Sequence, residues 1–319
     1  MRDKNVCETI KSNITNGFFD IADWNVLQGF VFENVKGLLR KSFSSYFNYI
    51  LLQLSHPEVA INGDMEWTEH LRLLEEYHTS GTHSGLEYNV VFRLVNAADY
   101  GVPQIRQRVV IVGFRSDLNF SWSFPVPTHT KEALLYAKYG DGSYWEEHGI
   151  SKKLRPPIPS AAQKTAGQLT LPVLNSERWQ TVRDAINGLP DPEDESASAY
   201  ANHEYRGGAR TYSGHSGSAL DEPSKAIKAG AHGVPGGENM MILDNGKLRY
   251  YTVRESARIQ TFPDNYHFSG SWTESMRQIG NAVPVKLACL IGDSIVKQFE
   301  NQLCLVNNFR PTISCTALF

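Results

Sequence analysis

The chain has 319 residues, 31 Lys and Arg against 34 Asp and Glu for a net charge of −3, with 41% hydrophobic and 20% charged residues. This balance is that of a folded globular chain of roughly two domains. It excludes disorder over the whole length, collagen-like repetition and a polyanion partner held by bulk charge, so any such partner needs a local patch.

In chain order, Gly29-Phe30-Val31-Phe32-Glu33 is a short apolar run that stops on a carboxylate, and it predicts a strand. Lys36-Gly37-Leu38-Leu39 then turns the chain toward a helix whose apolar positions are Tyr46, Phe47, Ile50, Leu51 and Leu54. A second amphipathic stretch surrounds Leu71–Leu74, and the β-branched and aromatic run Tyr88–Val95 predicts another strand. Asp99-Tyr100-Gly101-Val102-Pro103 carries loop punctuation. Arg108–Phe114 resumes as a nearly continuous apolar strand of the kind covered on both faces. Residues 20 to 120 therefore read as part of a layered α/β domain.

After Phe124-Pro125-Val126-Pro127 the composition shifts to Gly, Pro, Ser, His and Tyr, and a loop-rich region is expected to about Gly246. It holds one short helical segment, Thr181–Ile186, and an acidic turn, Asp191–Glu195, which reads as solvated surface. Helical character returns at Val253–Gln260 and ends before Pro263. From Pro284, well placed for a first helical turn, Leu287, Leu290, Ile291, Ile295, Phe299 and Leu303 line one helical face.

Several residues invite chemistry. Glu33 ends a strand, where open α/β sheets place ligands, and a carboxyl there serves either as a general acid or as a structural cap or ion-pair partner. Arg106 and Arg108 stand two apart, so an unbroken strand would point both guanidiniums to one face, toward an anion or a carbonyl oxygen, or into structural ion pairs. Gly233–Glu238 lacks the Gly-Lys-Ser/Thr ending of a phosphate loop. Gly214-His215-Ser216-Gly217-Ser218 nearly matches a nucleophile elbow, but Ser218 takes the last glycine position and no apolar strand leads in. His203, His215 and His232 have no zinc spacing. Cys7, Cys289, Cys304 and Cys315 form no C-x-x-C pair, so no metal site is expected, and a reducing cytoplasm fits them. No run approaches the roughly 18 apolar residues of a membrane span, and the N-terminus has no apolar signal core, so neither a membrane nor secretion is expected.

Four blocks, taken in order, resemble the DNA cytosine-5 methyltransferase family: Phe32-Glu33-Asn34-Val35, Gln104-Ile105-Arg106-Gln107-Arg108, the R-E-x-A-R block Arg254-Glu255-Ser256-Ala257-Arg258-Ile259-Gln260-Thr261-Phe262-Pro263, and Gly280-Asn281-Ala282-Val283-Pro284. The resemblance implies a partial Rossmann-like α/β domain, dependent on S-adenosylmethionine and lacking its first strands, with a loop-rich target recognition domain inserted. Its boundaries would be residues 1–127 for the partial catalytic domain, 128–275 for the recognition domain, and 276–319 for a C-terminal helix returning to the catalytic part. It also implies methyl transfer to C5 of a cytosine flipped out of double-stranded DNA. Glu33 would contact the cytosine N3 and exocyclic amine. Arg108, assisted by Arg106, would bind the O2 side, while Asn281 and Val283 would border the methionine end of the cofactor. Arg254, Glu255 and Arg258 would brace the recognition domain. Between Arg206 and Arg258 eight basic residues face five acidic ones, an excess that suits phosphate contact.

The family's F-x-G-x-G cofactor loop and Pro-Cys nucleophile block have no counterpart here, and Cys7 lacks the preceding proline. The expectation is therefore a C-terminal portion, inactive alone, most of whose cofactor pocket lies elsewhere. It would be either one half of a split enzyme with a complementing N-terminal subunit or a truncated product. A non-catalytic DNA-binding module is the alternative.

Overall fold

The computed structural model describes residues 28–81, 85–159, 175–211, 216–229 and 239–307, with side chains up to Asn301. Cys7, Cys315, His215, His232, the Gly233–Glu238 loop and the side chains of Leu303 and Cys304 lie outside them. The described residues form two compact units, 28–92 with 110–121, and 93–109 with 122–307.

In the first unit β1 (Gly29–Val35) leads through two 3-10 turns into α1 (Ser44–Ser55), and α2 (Trp67–Ser80) follows. β2 (Tyr88–Asn96) and β4 (Gln107–Arg115) begin or end in this unit, and the sheet order is β1-β4-β2. The central strand is the apolar one: Val109 to Phe114 are buried without a break, as its near-continuous hydrophobic sequence predicts. α1 sets the Phe47 ring edge-on to Phe92 at 4.8 Å, and α2 buries Leu74 and His70. His70 is satisfied at both ring nitrogens, by Tyr49 Oη (3.1 Å) and Val59 O (2.9 Å), which is why a histidine is tolerated there. Among the described residues β1 is an outer strand, and Val31, Phe32 and Val35 are 48, 50 and 56% exposed.

The second unit contains more regular structure than its composition suggests. After β3 (Gln104–Ile105) come β5 (His129–Thr130), α3 (Lys131–Tyr139), α4 (Ser143–Glu147), β6 (Glu177–Arg178) and α5 (Val182–Ile186). Next are β7 (Ser218–Ala219), β8 (Ser224–Lys225), β9 (Met240–Ile242), β10 (Leu248–Tyr250) and α6 (Val253–Ile259), and finally α7 (Trp272–Asn281) and α8 (Val285–Asn307). β9 and β10 pair antiparallel in the register Arg249 to Met241, and β7 adds to β9 in parallel. Gly246, at φ 78°, closes the hairpin turn after Asn245. The expectation of one short helix in an otherwise loop-rich segment is thus corrected: α3 is a full two turns, capped by the Thr130 hydroxyl, but it buries small residues such as Ala133 and Ala137, which give little periodic signal.

The core of this unit gathers Val182, Ile227, Met241, Tyr251, Ala257, Met276 and Ile279. Two capping boxes fix the helices that reach it, Thr181 with Asp184 and Thr252 with Glu255. Burial pushes the Tyr251 phenol up to about 12, so it stays a neutral hydrogen-bonding group beside Ser224 (3.2 Å). The acidic turn at Asp191–Glu195 is solvated at its carboxylates. Among the described residues, the stretch Trp272–Asn301 is long and apolar enough by length and composition to cross a membrane. It is not one rod, because α7 stops at Asn281 and α8 starts after Pro284.

Two predictions follow from these contacts. A Cβ on Gly280 would collide with the backbone of Lys228 and Ala229, so Gly280→Ala should lower the melting temperature, by overpacking worth about 1–3 kcal/mol, although Gly to Ala within a helix ordinarily stabilises. A melting temperature equal to or above wild type would show that the close approach is absent. Burial alone would raise the Asp184 carboxyl above its usual 3.8, but hydrogen bonds from Arg178 and Thr181 outweigh it and hold the group lower. A depressed carboxyl contributes stability that is complete above pH 3.8 and lost as the pH falls through its folded value. Asp184→Asn should therefore flatten the acid limb of stability against pH, read from denaturant midpoints; an unchanged limb would contradict it.

Candidate functional site

Three of the four sequence blocks meet within the second unit, at the turn between α7 and α8. The chain leaves the sheet at Arg106, between β3 and β4, so the period-two pattern that would put both arginines on one face is interrupted there. Arg106 is buried. Its guanidinium donates from Nη1 to Ile227 O (3.0 Å) and from Nη2 to Gly280 O (2.8 Å) and Ala282 O (3.1 Å). Arg108, two residues on, is half-buried and donates from Nη1 to Gln107 O (2.9 Å).

Gln104 is fully buried on the same segment, and its Oε1 accepts from Ile227 N (2.9 Å). Ile227 is thus gripped at both its amide and its carbonyl by one motif. From the other side Gln260, just beyond α6, donates from Nε2 to Ile279 O (2.8 Å) and Ala282 O (3.4 Å), while its own carbonyl accepts from Val285 N (3.0 Å). Arg106 and Gln260 therefore converge on the Ala282 carbonyl. The turn they hold carries Asn281, which is exposed, and Val283, which is half-buried.

Sequence reasoning did not single out Gln104, Gln260 or Gly280 individually. Gln260 ends the helical stretch read at Val253–Gln260, and a glutamine at the close of a helix signals nothing by itself. Gly280 is explained by the backbone of Lys228 and Ala229 lying against it.

The Arg254-to-Arg258 block is structural. Arg254 is fully buried and donates to Ala201 O (2.9 Å), Pro263 O (3.2 Å) and Tyr266 O (2.8 Å); burial lowers its pKa against the pull of Asp264. Glu255 takes both guanidinium nitrogens of Arg249 at 2.7 and 2.8 Å, and Arg258 pairs with Asp264 at 2.6 Å. Three of the eight basic residues between Arg206 and Arg258 are accordingly committed to internal partners, which reduces the positive excess read from sequence. Arg206, Arg210, Lys228 and Lys247 are exposed.

Glu33 belongs to the first unit, where it is the fifth of the seven residues of β1, so the strand runs on for two residues past it. It is half-buried. His203 is bound to Thr252 Oγ1 and Pro190 O, both at 2.9 Å, as an ordinary core histidine. Ser216 is exposed and accepts from Lys225 Nζ (2.9 Å). Glu147, His148 and Asp184 bring ligand-type atoms within 4.8 Å of one another, but Arg178 donates to both carboxylates at 2.8 Å and already supplies the positive charge. Among the cysteines with described side chains, Cys289 is half-buried in α8.

The family model for C-5 cytosine-specific DNA methylases matches residues 74–297. The chain is 32% identical over 241 residues to the type II methyltransferase M.MthTI of Methanothermobacter thermautotrophicus, covering 68% of this chain and 58% of that one. It is 28% identical over 297 residues to M.NgoFVII of Neisseria gonorrhoeae, covering 91% and 64%, respectively. A solved DNA modification methyltransferase encoded within an Escherichia coli prophage superposes with a TM-score of 0.44 at 17% identity, covering 85% of this chain and 70% of that one. The chain spans 58% and 64% of the length of these two relatives and 50% of M.BsuRI of Bacillus subtilis. By the extent of the family match, the chain belongs to the C-5 cytosine-specific DNA methylase family.

Proposed function

We propose that this chain is the base-recognising and DNA-recognising part of a DNA cytosine-5 methyltransferase. The observation that carries the reading is the convergence of Arg106 and Gln260 on the carbonyl of Ala282, which knits three separate sequence blocks into one pinned turn. Family membership supports the reaction class.

The substrate is a cytosine flipped out of double-stranded DNA. Nucleophilic attack at C6 drives negative charge into the ring, toward N3 and O2. Glu33 contacts N3 and the exocyclic amine of the base, so the charge is offset where it develops. Arg108 presents a permanently charged fork to O2. Arg106 has its guanidinium committed to three carbonyls, so it assists by holding the segment that bears Arg108 rather than by touching the base.

Asn281 and Val283 fit the methionine end of S-adenosylmethionine: an exposed amide and a half-buried aliphatic side chain sit on a turn whose carbonyls are tied from behind. When bound, that cofactor supplies an electrophilic methyl carbon. The attacking thiol and the rest of the cofactor pocket are assigned to polypeptide outside this sequence, either a complementing N-terminal subunit or the remainder of a longer chain. The outer position of β1 and its exposed Val31, Phe32 and Val35 support strand and side-chain cover from such a partner. The segment between β5 and α6, with exposed Arg206, Arg210, Lys228 and Lys247, is assigned to DNA recognition.

The deciding experiment is transfer of a labelled methyl group from S-adenosylmethionine to DNA, with this chain alone and with a polypeptide bearing the F-x-G-x-G and Pro-Cys blocks. Transfer only in the mixture is expected. Silence in both, with DNA binding retained, would replace this reading with a non-catalytic DNA-binding module. In the active mixture Glu33→Gln and Arg108→Ala should each slow transfer by about 10² or more, the scale of losing one acid or one electrostatic stabiliser. Rates close to wild type would remove those roles.

A further inference from the structure

Three described non-glycine residues have positive φ: Asn119, Asn202 and Thr261. Asparagine tolerates the left-handed region; a β-branched residue at φ 61° does not, and its presence there needs a compensating interaction. Thr261 stands one residue past the cap of α6. Its N–H donates to Arg258 O (2.9 Å) and the next N–H, from Phe262, to Ala257 O (2.9 Å), followed by Pro263. These two bonds are the helix-ending pattern in which glycine normally fills the left-handed position. Threonine occupies it here.

The hydroxyl explains the choice. Thr261 Oγ1 donates to Gln260 O (2.7 Å) and accepts from Lys286 N (2.8 Å), in the first turn of α8. A helix start leaves its first N–H groups without partners, and Pro284, which precedes α8, has no side-chain oxygen to cap them. The Val285 N–H goes instead to Gln260 O (3.0 Å) and the Lys286 N–H to Thr261. One dipeptide, 25 residues upstream in sequence, therefore both ends α6 and caps α8. Between the capped start of α8 and the Arg106 clamp lies the turn bearing Asn281 and Val283.

We propose that Thr261 is a positioning residue: its hydroxyl latches the start of α8 to the end of α6, and through the 281–285 turn sets the affinity for the methyl donor. The second half rests on the function proposed above; the latch itself does not.

The test uses three full-length variants. Thr261→Ser keeps the hydroxyl, Thr261→Val keeps the shape and the branched side chain but loses the hydroxyl, and Thr261→Gly loses the hydroxyl while relieving the backbone. Hydrogen exchange at the Lys286 amide, measured on the chain alone, should speed up about tenfold in the Val and Gly variants, the scale of one net hydrogen bond, and stay at the wild-type rate in Ser. Thr261→Gly should nevertheless melt no lower than Thr261→Val, which separates loss of the latch from loss of stability. In the reconstituted mixture, Thr261→Val should raise the KM for S-adenosylmethionine about tenfold with kcat within about twofold, and Ser should restore it. Wild-type exchange in the Val variant, or fast exchange in Ser, would overturn the latch. Fast exchange with an unchanged KM would overturn its link to the methyl donor. Absence of transfer by the wild-type mixture would remove the functional reading instead, with the exchange arm still deciding the latch.

Discussion

The second unit is organised around the commitment of one buried charge. Arg106 has lost its hydration, and a guanidinium inside a protein is tolerable only when its donors are spent on acceptors of fixed geometry. Here those acceptors are the main-chain carbonyls of Ile227, Gly280 and Ala282, distant in sequence from one another and from the arginine. Carbonyl partners carry no formal charge, so these three bonds hold the guanidinium by its donors and leave it cationic. The result ties a β-strand segment, a loop and a helix end at one point. Removing any of the three acceptors would leave a donor stranded, and this makes the turn at Ala282 stiff on the side facing the protein.

The R-E-x-A-R block repeats the device one layer away. Arg254 also spends its guanidinium on carbonyls, those of Ala201, Pro263 and Tyr266, whereas Glu255 is neutralised by Arg249 and by the Thr252 amide. The arginines of these motifs therefore differ in role: Arg106 and Arg254 are buried and hold distant backbone, Arg258 pairs with Asp264, and Arg108 is half-buried and donates to the neighbouring Gln107 carbonyl. The distinction follows from burial and partners, not from residue type.

Much of the architecture was legible from hydrophobic period. Strands β2 and β4 and helices α1, α2, α6 and α8 fall where the apolar residues gather, because each buries aliphatic or aromatic side chains, β4 without a break. α7 was missed because two of its four buried positions are Ser275 and Gly280, which carry no hydrophobic signal and are buried for close approach. α3 was missed for a related reason, and β9 and β10 because strands of three residues are too short to show alternation, although Asp244-Asn245-Gly246 between them is a hairpin signal. At the site, the identities of Arg106, Arg108, Asn281 and Val283 came from motif resemblance. Which arginine would be buried did not, since that depends on the chain leaving the sheet at Arg106. Thr261 was invisible in sequence because nothing local announces a positive φ at threonine.

The exposed apolar residues of β1 bear on how the chain must be handled. An outer strand that, among the described residues, shows Val31, Phe32 and Val35 to solvent is a template for pairing with another strand, including that of an identical molecule. Self-pairing of such an edge is bimolecular, so it rises with concentration. Dilution, low temperature or co-translation with a covering polypeptide acts on that pairing directly. Strengthening the core of the second unit, however effective thermodynamically, leaves it untouched.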